Sequence, residues 1–192
     1  MQHRLIDRHD SCLVVIDVQP YFLDKLPLDW RVPLVSRIAW LMRVAAALDI
    51  PVIATAEDAA SNGPPVLEVM RELPPGAEVH DKVVFGLAGQ AAIRDDLKRT
   101  GRKTSVIVGL ETDVCIAHSA LGLLDEGFRV AVIEDATASP PPHHEAGLKR
   151  IAAAGTVVTN AKGIYYEWVR DLTTLAMLKA KLGTTLPQGL KL

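Results

Sequence analysis

Three residues stand where side-chain chemistry could begin. Asp17 follows the apolar run LVVI and precedes Val18-Gln19-Pro20. A carboxylate at the end of an apolar strand is poorly solvated, which raises its pKa and suits it to proton transfer. Position alone also allows a loop-capping Asp. Cys115 closes the stretch Gly109-Leu110-Glu111-Thr112-Asp113-Val114, where a helical pattern begins. A thiol at a helix N-terminus meets the positive end of the dipole, which favours the thiolate. Backbone N–H groups there could also hold an oxyanion. The competing reading is a small buried apolar residue. Lys82 lies among apolar neighbours in His80-Asp81-Lys82-Val83-Val84-Phe85. It is either a paired buried ammonium or a surface lysine on an alternating strand.

Other chemistry-bearing residues are less telling. Cys12 begins the first apolar run and reads as core packing. His118 is three residues after Cys115 and could share a helical face with it; a surface or packing role is preferred. His143 and His144 are adjacent, so on a helix they face different ways. The six His form no metal-ligand spacing. H-E-x-x-H, P-loop, G-x-G-x-x-G and G-x-S-x-G patterns do not occur.

The elements that must position these residues follow from the hydrophobic pattern. Short β-branched runs occur at residues 12–18, 51–56, 78–84, 104–110, 129–135 and 155–160. Several, such as LVVI and SVIV, are apolar on both faces, as in a parallel sheet covered by helices. Between them lie helical patterns at residues 33–49, 90–99, 115–126, 143–153 and 164–182. Gly101, Gly127 and Gly155 stand where left-handed caps would end three of these elements. The alternation argues for an α/β fold with right-handed crossovers. In such sheets ligands bind beyond the carboxyl ends of the strands, where the winding reverses.

Composition narrows the partners. The chain has 192 residues, 49% hydrophobic and 23% charged, the profile of an ordinary globular domain. A chain this long buries roughly 70% of its unfolded surface. We read one domain, residues 1–192, with residues 183–192 as a loose end or an oligomer arm. The net charge of −2 gives no basic footprint for nucleic acid or anionic membrane. No run is long and apolar enough to span a bilayer. Two cysteines and no signal-peptide pattern make the cytoplasm the expected compartment. Tyr165, Trp168, Leu172, Leu175 and Leu178 give the last helix more apolar surface than one sheet face needs, which points to a homo-oligomer.

The motifs together resemble the isochorismatase-like cysteine hydrolases. The matching pieces are LVVIDVQ, IPVIATAED, DKVVF and VIVGLETDVCIAHSALGLLDEGFRVAVIEDATAS, and they lie within residues 11–160. The resemblance implies a Rossmann-like three-layer sandwich: a six-stranded parallel sheet of order 3-2-1-4-5-6 with helices on both faces. It implies a catalytic triad of Asp17, Lys82 and Cys115 and a cis peptide at Leu110–Glu111. The backbone N–H groups of Glu111 and Cys115 would then form the oxyanion hole. The implied reaction cleaves an amide-type C–N bond of a small molecule through a thioester, without a cofactor. Nicotinamidases of this superfamily carry a metal held by an Asp and several His after the second strand. The matching stretch here, residues 55–63, has no His, so no catalytic metal is expected. Isochorismatases proper cleave a vinyl ether without a Cys nucleophile, and Cys115 therefore favours C–N cleavage. The alternatives are that ether hydrolysis, or a non-catalytic oligomeric scaffold or thiol redox sensor. Gln19, Tyr21, Phe22, Glu57, Phe85 and Thr112 are candidate pocket residues, with Trp30 a possible further wall.

Overall fold

The computed structural model describes residues 4–192. Residues 1–3, part of the single-domain reading and of the N-terminal stretch, lie outside the described residues. Six strands form the sheet: β1 (Ser11–Ile16), β2 (Val52–Glu57), β3 (Val79–Lys82), β4 (Thr104–Leu110), β5 (Arg129–Ala138) and β6 (Val157–Thr159). All neighbours pair in parallel, in the order β3-β2-β1-β4-β5-β6. The winding therefore reverses between β1 and β4, as the resemblance implied.

The helices are α1 (Pro20–Leu23), α2 (Leu28–Ala47), α3 (Ala59–Asn62), α4 (Leu67–Met70), α5 (Ala91–Arg99), α6 (Ala117–Asp125), α7 (His143–Ala153), α8 (Ala161–Val169) and α9 (Leu172–Leu182). The two-sided apolar strands are explained by two cores. Leu13 and Val15 of β1 pack with Ile38 and Leu41 of α2, Trp168 of α8 and Leu178 of α9. Their neighbours Cys12, Val14 and Ile16 pack with Ile93 of α5, Leu123 of α6 and Ile151 of α7. Alternate residues of one strand thus feed opposite layers. Gly101, Gly127 and Gly155 all take positive φ, as expected of left-handed caps.

Three expectations need correction. The helix expected over residues 164–182 is two helices. Arg170 turns to a φ of 66°, and the Asp171 side chain then accepts from the Thr174 N–H as the N-cap of α9. The apolar surface of this segment also faces its own chain: Tyr165, Trp168 and Leu178 are buried and Leu175 packs on the core, leaving Leu172 exposed. The tail, too, is docked. Leu190 is buried, and Leu186 and Leu192 pack against the first core.

Candidate active site

Four chain segments deliver the site. β1 ends at Ile16, and Asp17 follows with a φ of 50°, a left-handed conformation that Asp tolerates better than most residues. Its backbone N–H donates to the Thr55 carbonyl of β2, which fixes the turn. Glu57 ends β2 and Lys82 ends β3, and the parallel register sets these two residues side by side. Cys115 lies in a wide π-turn (Thr112–Ile116) between β4 and α6. Such turns recur at functional sites. The peptide bond entering it, Leu110–Glu111, is cis, as the resemblance implied.

The side chains converge on the Lys82 ammonium. Its Nζ lies 2.7 Å from Asp17 Oδ2, 3.0 Å from Glu57 Oε2 and 3.6 Å from Cys115 Sγ, and it donates to the Val84 carbonyl at 3.1 Å. The Cys115 thiol donates to Glu57 Oε2 at 3.1 Å. Thr55 Oγ1 donates to Asp17 Oδ1 at 2.8 Å. Asp17, Glu57 and Cys115 bring their donor atoms within 4.8 Å of one another, a spacing that could surround a metal ion. The Lys82 ammonium already contacts all three.

The electrostatics differ from the expectation of a dipole-activated thiolate. α6 begins only at Ala117, beyond Cys115. Burial, followed by the Asp17 carboxylate, pushes the Cys115 thiol well above its ordinary range despite the nearby Lys82. The resting sulfur is therefore a thiol that needs a base. Burial raises the Asp17 pKa as well, against the opposing pull of Lys82 and of the Thr55 and Cys115 hydrogen bonds. Burial alone would lower Lys82, but the charges of Asp17 and Cys115 outweigh it and hold the ammonium above its ordinary range. Cys12 is likewise pushed up by burial, to about 12, and among the described residues its thiol meets the Leu13 carbonyl rather than a carboxylate or ammonium.

A cavity of about 230 Å³ opens beside this cluster, lined by Glu57, Asp58, Lys82, Val83, Val84 and Phe85. Of the candidate pocket residues, Glu57 and Phe85 line it. Gln19 is buried and structural: its amide accepts from the Glu57 N–H and donates to the carbonyls of Glu57 and Gly63. Phe22 is in the first core. Tyr21 is exposed, its ring under the Lys25 ammonium. Thr112 is buried and bonded to His144. Trp30 lines a separate cavity of about 280 Å³ with Arg37, Asp135 and His144. His118 is exposed and meets Phe85 edge-to-face rather than the thiol. Glu57, a candidate pocket carboxylate from its sequence position, also bonds Cys115 and Lys82 directly, contacts that the sequence reading does not anticipate. The signal was its place at the end of the strand beside β1.

Fold and cluster together define an isochorismatase-like hydrolase whose Asp, Glu and Cys fit a cysteine hydrolase. Residues 11–162 match the isochorismatase domain model, and the chain belongs to that family. The secreted isochorismatase effector Isc1 of Phytophthora sojae is 29% identical over 168 residues, covering 85% of this chain and 79% of that protein. YcaC of Pseudomonas aeruginosa, solved with hexane-2,5-diol and covalent acrylamide, is 27% identical with a TM-score of 0.82, over 95% of this chain and 94% of that one. The YcaC gene product of Escherichia coli, described as an octameric hydrolase of unknown specificity, is 25% identical with a TM-score of 0.82, over 94% and 91%.

Proposed function

We propose that the protein hydrolyses an amide-type C–N bond of a small molecule through a thioester on Cys115. The observation that carries this reading is the thiol–carboxylate–ammonium contact set beside a cavity of small-molecule size. The thiol proton passes into the carboxylate pair and rests on Asp17, whose neutral form burial favours. Lys82 stays charged and stabilises the thiolate as it attacks the carbonyl carbon. The backbone N–H groups of Glu111 and Cys115 hold the resulting oxyanion. Asp17 returns the proton to the leaving nitrogen, and the amine departs. Asp17 then takes a proton from water, which attacks the thioester, and hands that proton to the departing sulfur, releasing the acid and the free thiol.

Alkylation followed by peptide mass spectrometry tests the nucleophile before any substrate is known. Cys115 is expected to label faster than Cys12, at a rate that rises as Asp17 loses its proton above the ordinary carboxylate range. Asp17→Asn should slow it by about a hundredfold, the low end for a lost general base. Cys115→Ala should abolish ammonia release from a panel of small primary amides. Retained hydrolysis in Cys115→Ala would instead favour ether cleavage without a thiol. Labelling indifferent to Asp17 would favour the scaffold or redox-sensor reading.

The proposal includes a homo-oligomer and a cytoplasmic setting. Both cysteines are free thiols, which suits a reducing compartment. Among the described residues, no helix is long and apolar enough to cross a membrane. Leu28 and Val32 on α2 and Leu67 and Met70 on α4 are exposed, and they are the surface we assign to contact between copies. The octameric state described for the Escherichia coli YcaC supports the same reading. Sedimentation at micromolar concentration should show an assembly larger than the monomer, which Val32→Asp disrupts. A purely monomeric wild type would remove this part.

A further inference from the structure

The cavity beside the thiol is charged in a way that selects its occupant. Its lining holds two carboxylates, Glu57 and Asp58, against one ammonium, Lys82. That ammonium is fully buried and already faces Asp17, Glu57, the Val84 carbonyl and Cys115. It offers an anionic substrate no accessible cation. Glu57, by contrast, lines the cavity and keeps acceptor capacity. Both of its carboxylate hydrogen bonds use Oε2. Among the described residues, Oε1 has no partner. The Glu57 side chain retains 17% exposure. Its backbone is held on both sides, the N–H by Gln19 Oε1 and the carbonyl by the amides of Gln19 and Asn62. A fixed, half-engaged carboxylate bonded to the nucleophile is positioned to meet a donor next to the scissile carbonyl.

We propose that Glu57 sets specificity: its free Oε1 receives an N–H group next to the scissile carbonyl. The site therefore takes small neutral or cationic carboxamides or ureides and rejects carboxylate-bearing substrates. Asp58 at the rim adds to the same field. This goes beyond the hydrolase reading and takes Cys115 as its nucleophile.

Charge-matched thiol reagents test it. Iodoacetamide, iodoacetate and 2-bromoethylamine are reacted with the whole protein at low ionic strength, and each rate at Cys115 is divided by that reagent's rate with free cysteine. Iodoacetamide and 2-bromoethylamine should each exceed iodoacetate by at least about tenfold after normalisation, because a like charge a few ångströms away repels the anionic reagent. In Glu57→Gln the gap should close to within about threefold as that charge is lost. Comparing reagents on one sulfur cancels any change the substitution makes in the thiol's own reactivity. Buried Cys12 should stay unlabelled throughout, which reports that the variant is folded. Equal normalised rates in the wild type overturn the assignment. So does full discrimination surviving in Glu57→Gln. A Cys115 inert to all three reagents while free cysteine reacts is a different failure: it removes the nucleophile itself, and the specificity assignment with it.

Discussion

Lys82→Met should destabilise the protein by about 3–5 kcal/mol near neutral pH, the usual cost of removing one partner from a buried ion pair. The side chain is fully buried, and so is that of Asp17. Methionine fills much of the lysine stem's volume, so packing contributes little and charge dominates. The variant leaves two carboxylates facing each other with no cation between them. The pH dependence has a definite sign. Burial already raises the folded-state pKa of Asp17 above its unfolded value, and Lys82 is the main group opposing that rise. Without Lys82 the folded pKa climbs further. A group whose folded pKa is raised contributes stability that is fully present below the unfolded pKa and is lost as pH rises through the folded pKa. The deficit of Lys82→Met against the wild type should therefore be small in acid and grow toward neutrality. Urea denaturation at several pH values measures it. A deficit that is the same at all of them would mean that Lys82 acts by packing rather than by charge. Cys115 labelling should fall in the same variant, because the thiolate loses its counter-charge.

Gly109→Ala should have a comparable or larger effect for a steric reason. Gly109 lies in β4 at a φ of 122° and pairs with Ile16 of β1. A Cβ there would overlap the Ile16 carbonyl oxygen and come within 2.8 Å of its carbon. Backbone cannot move aside as a flexible side chain can. The strands would have to part at the point that holds Asp17 on one side and leads to Cys115 on the other. A loss of more than about 4 kcal/mol is expected, in the range reserved for changes of this severity. Gly127→Ala is the matched comparison. Gly127 also has positive φ, at 84°, but a Cβ there meets nothing within 4 Å. It should cost only about 1 kcal/mol for backbone strain. If the two variants denature alike, close approach of β1 and β4 is not what requires the glycine.

Much of this arrangement was legible in the residues, and the parts that were not have physical reasons. The strands announced themselves because LVVI and SVIV are buried on both faces. β4 was placed to the residue, whereas β5 runs three residues past its expected end through an irregular pairing near Gly109. The break between α8 and α9 was hidden by apolar spacing that continues across it. The Asp171-x-x-Thr174 cap was the available signal. Tyr21 and Phe22 could not both face the cavity, because adjacent residues on the short helix α1 point in different directions. The thiol's environment was misjudged most. Spacing along the chain suggests a helix dipole, and the resemblance implies Asp17 beside the sulfur, but the Glu57 carboxylate from β2 is added only by the three-dimensional order.

The clustered groups come from distant parts of the chain. Asp17, Glu57 and Lys82 belong to the half of the sheet made by β1, β2 and β3, and Cys115 follows β4 on the other half. During synthesis Asp17, Glu57 and Lys82 all emerge before Cys115. A chain opened along the β1–β4 seam carries these residues without bringing them together. Parting of β1 from β4 would therefore separate Cys115 from all three of its charged partners at once.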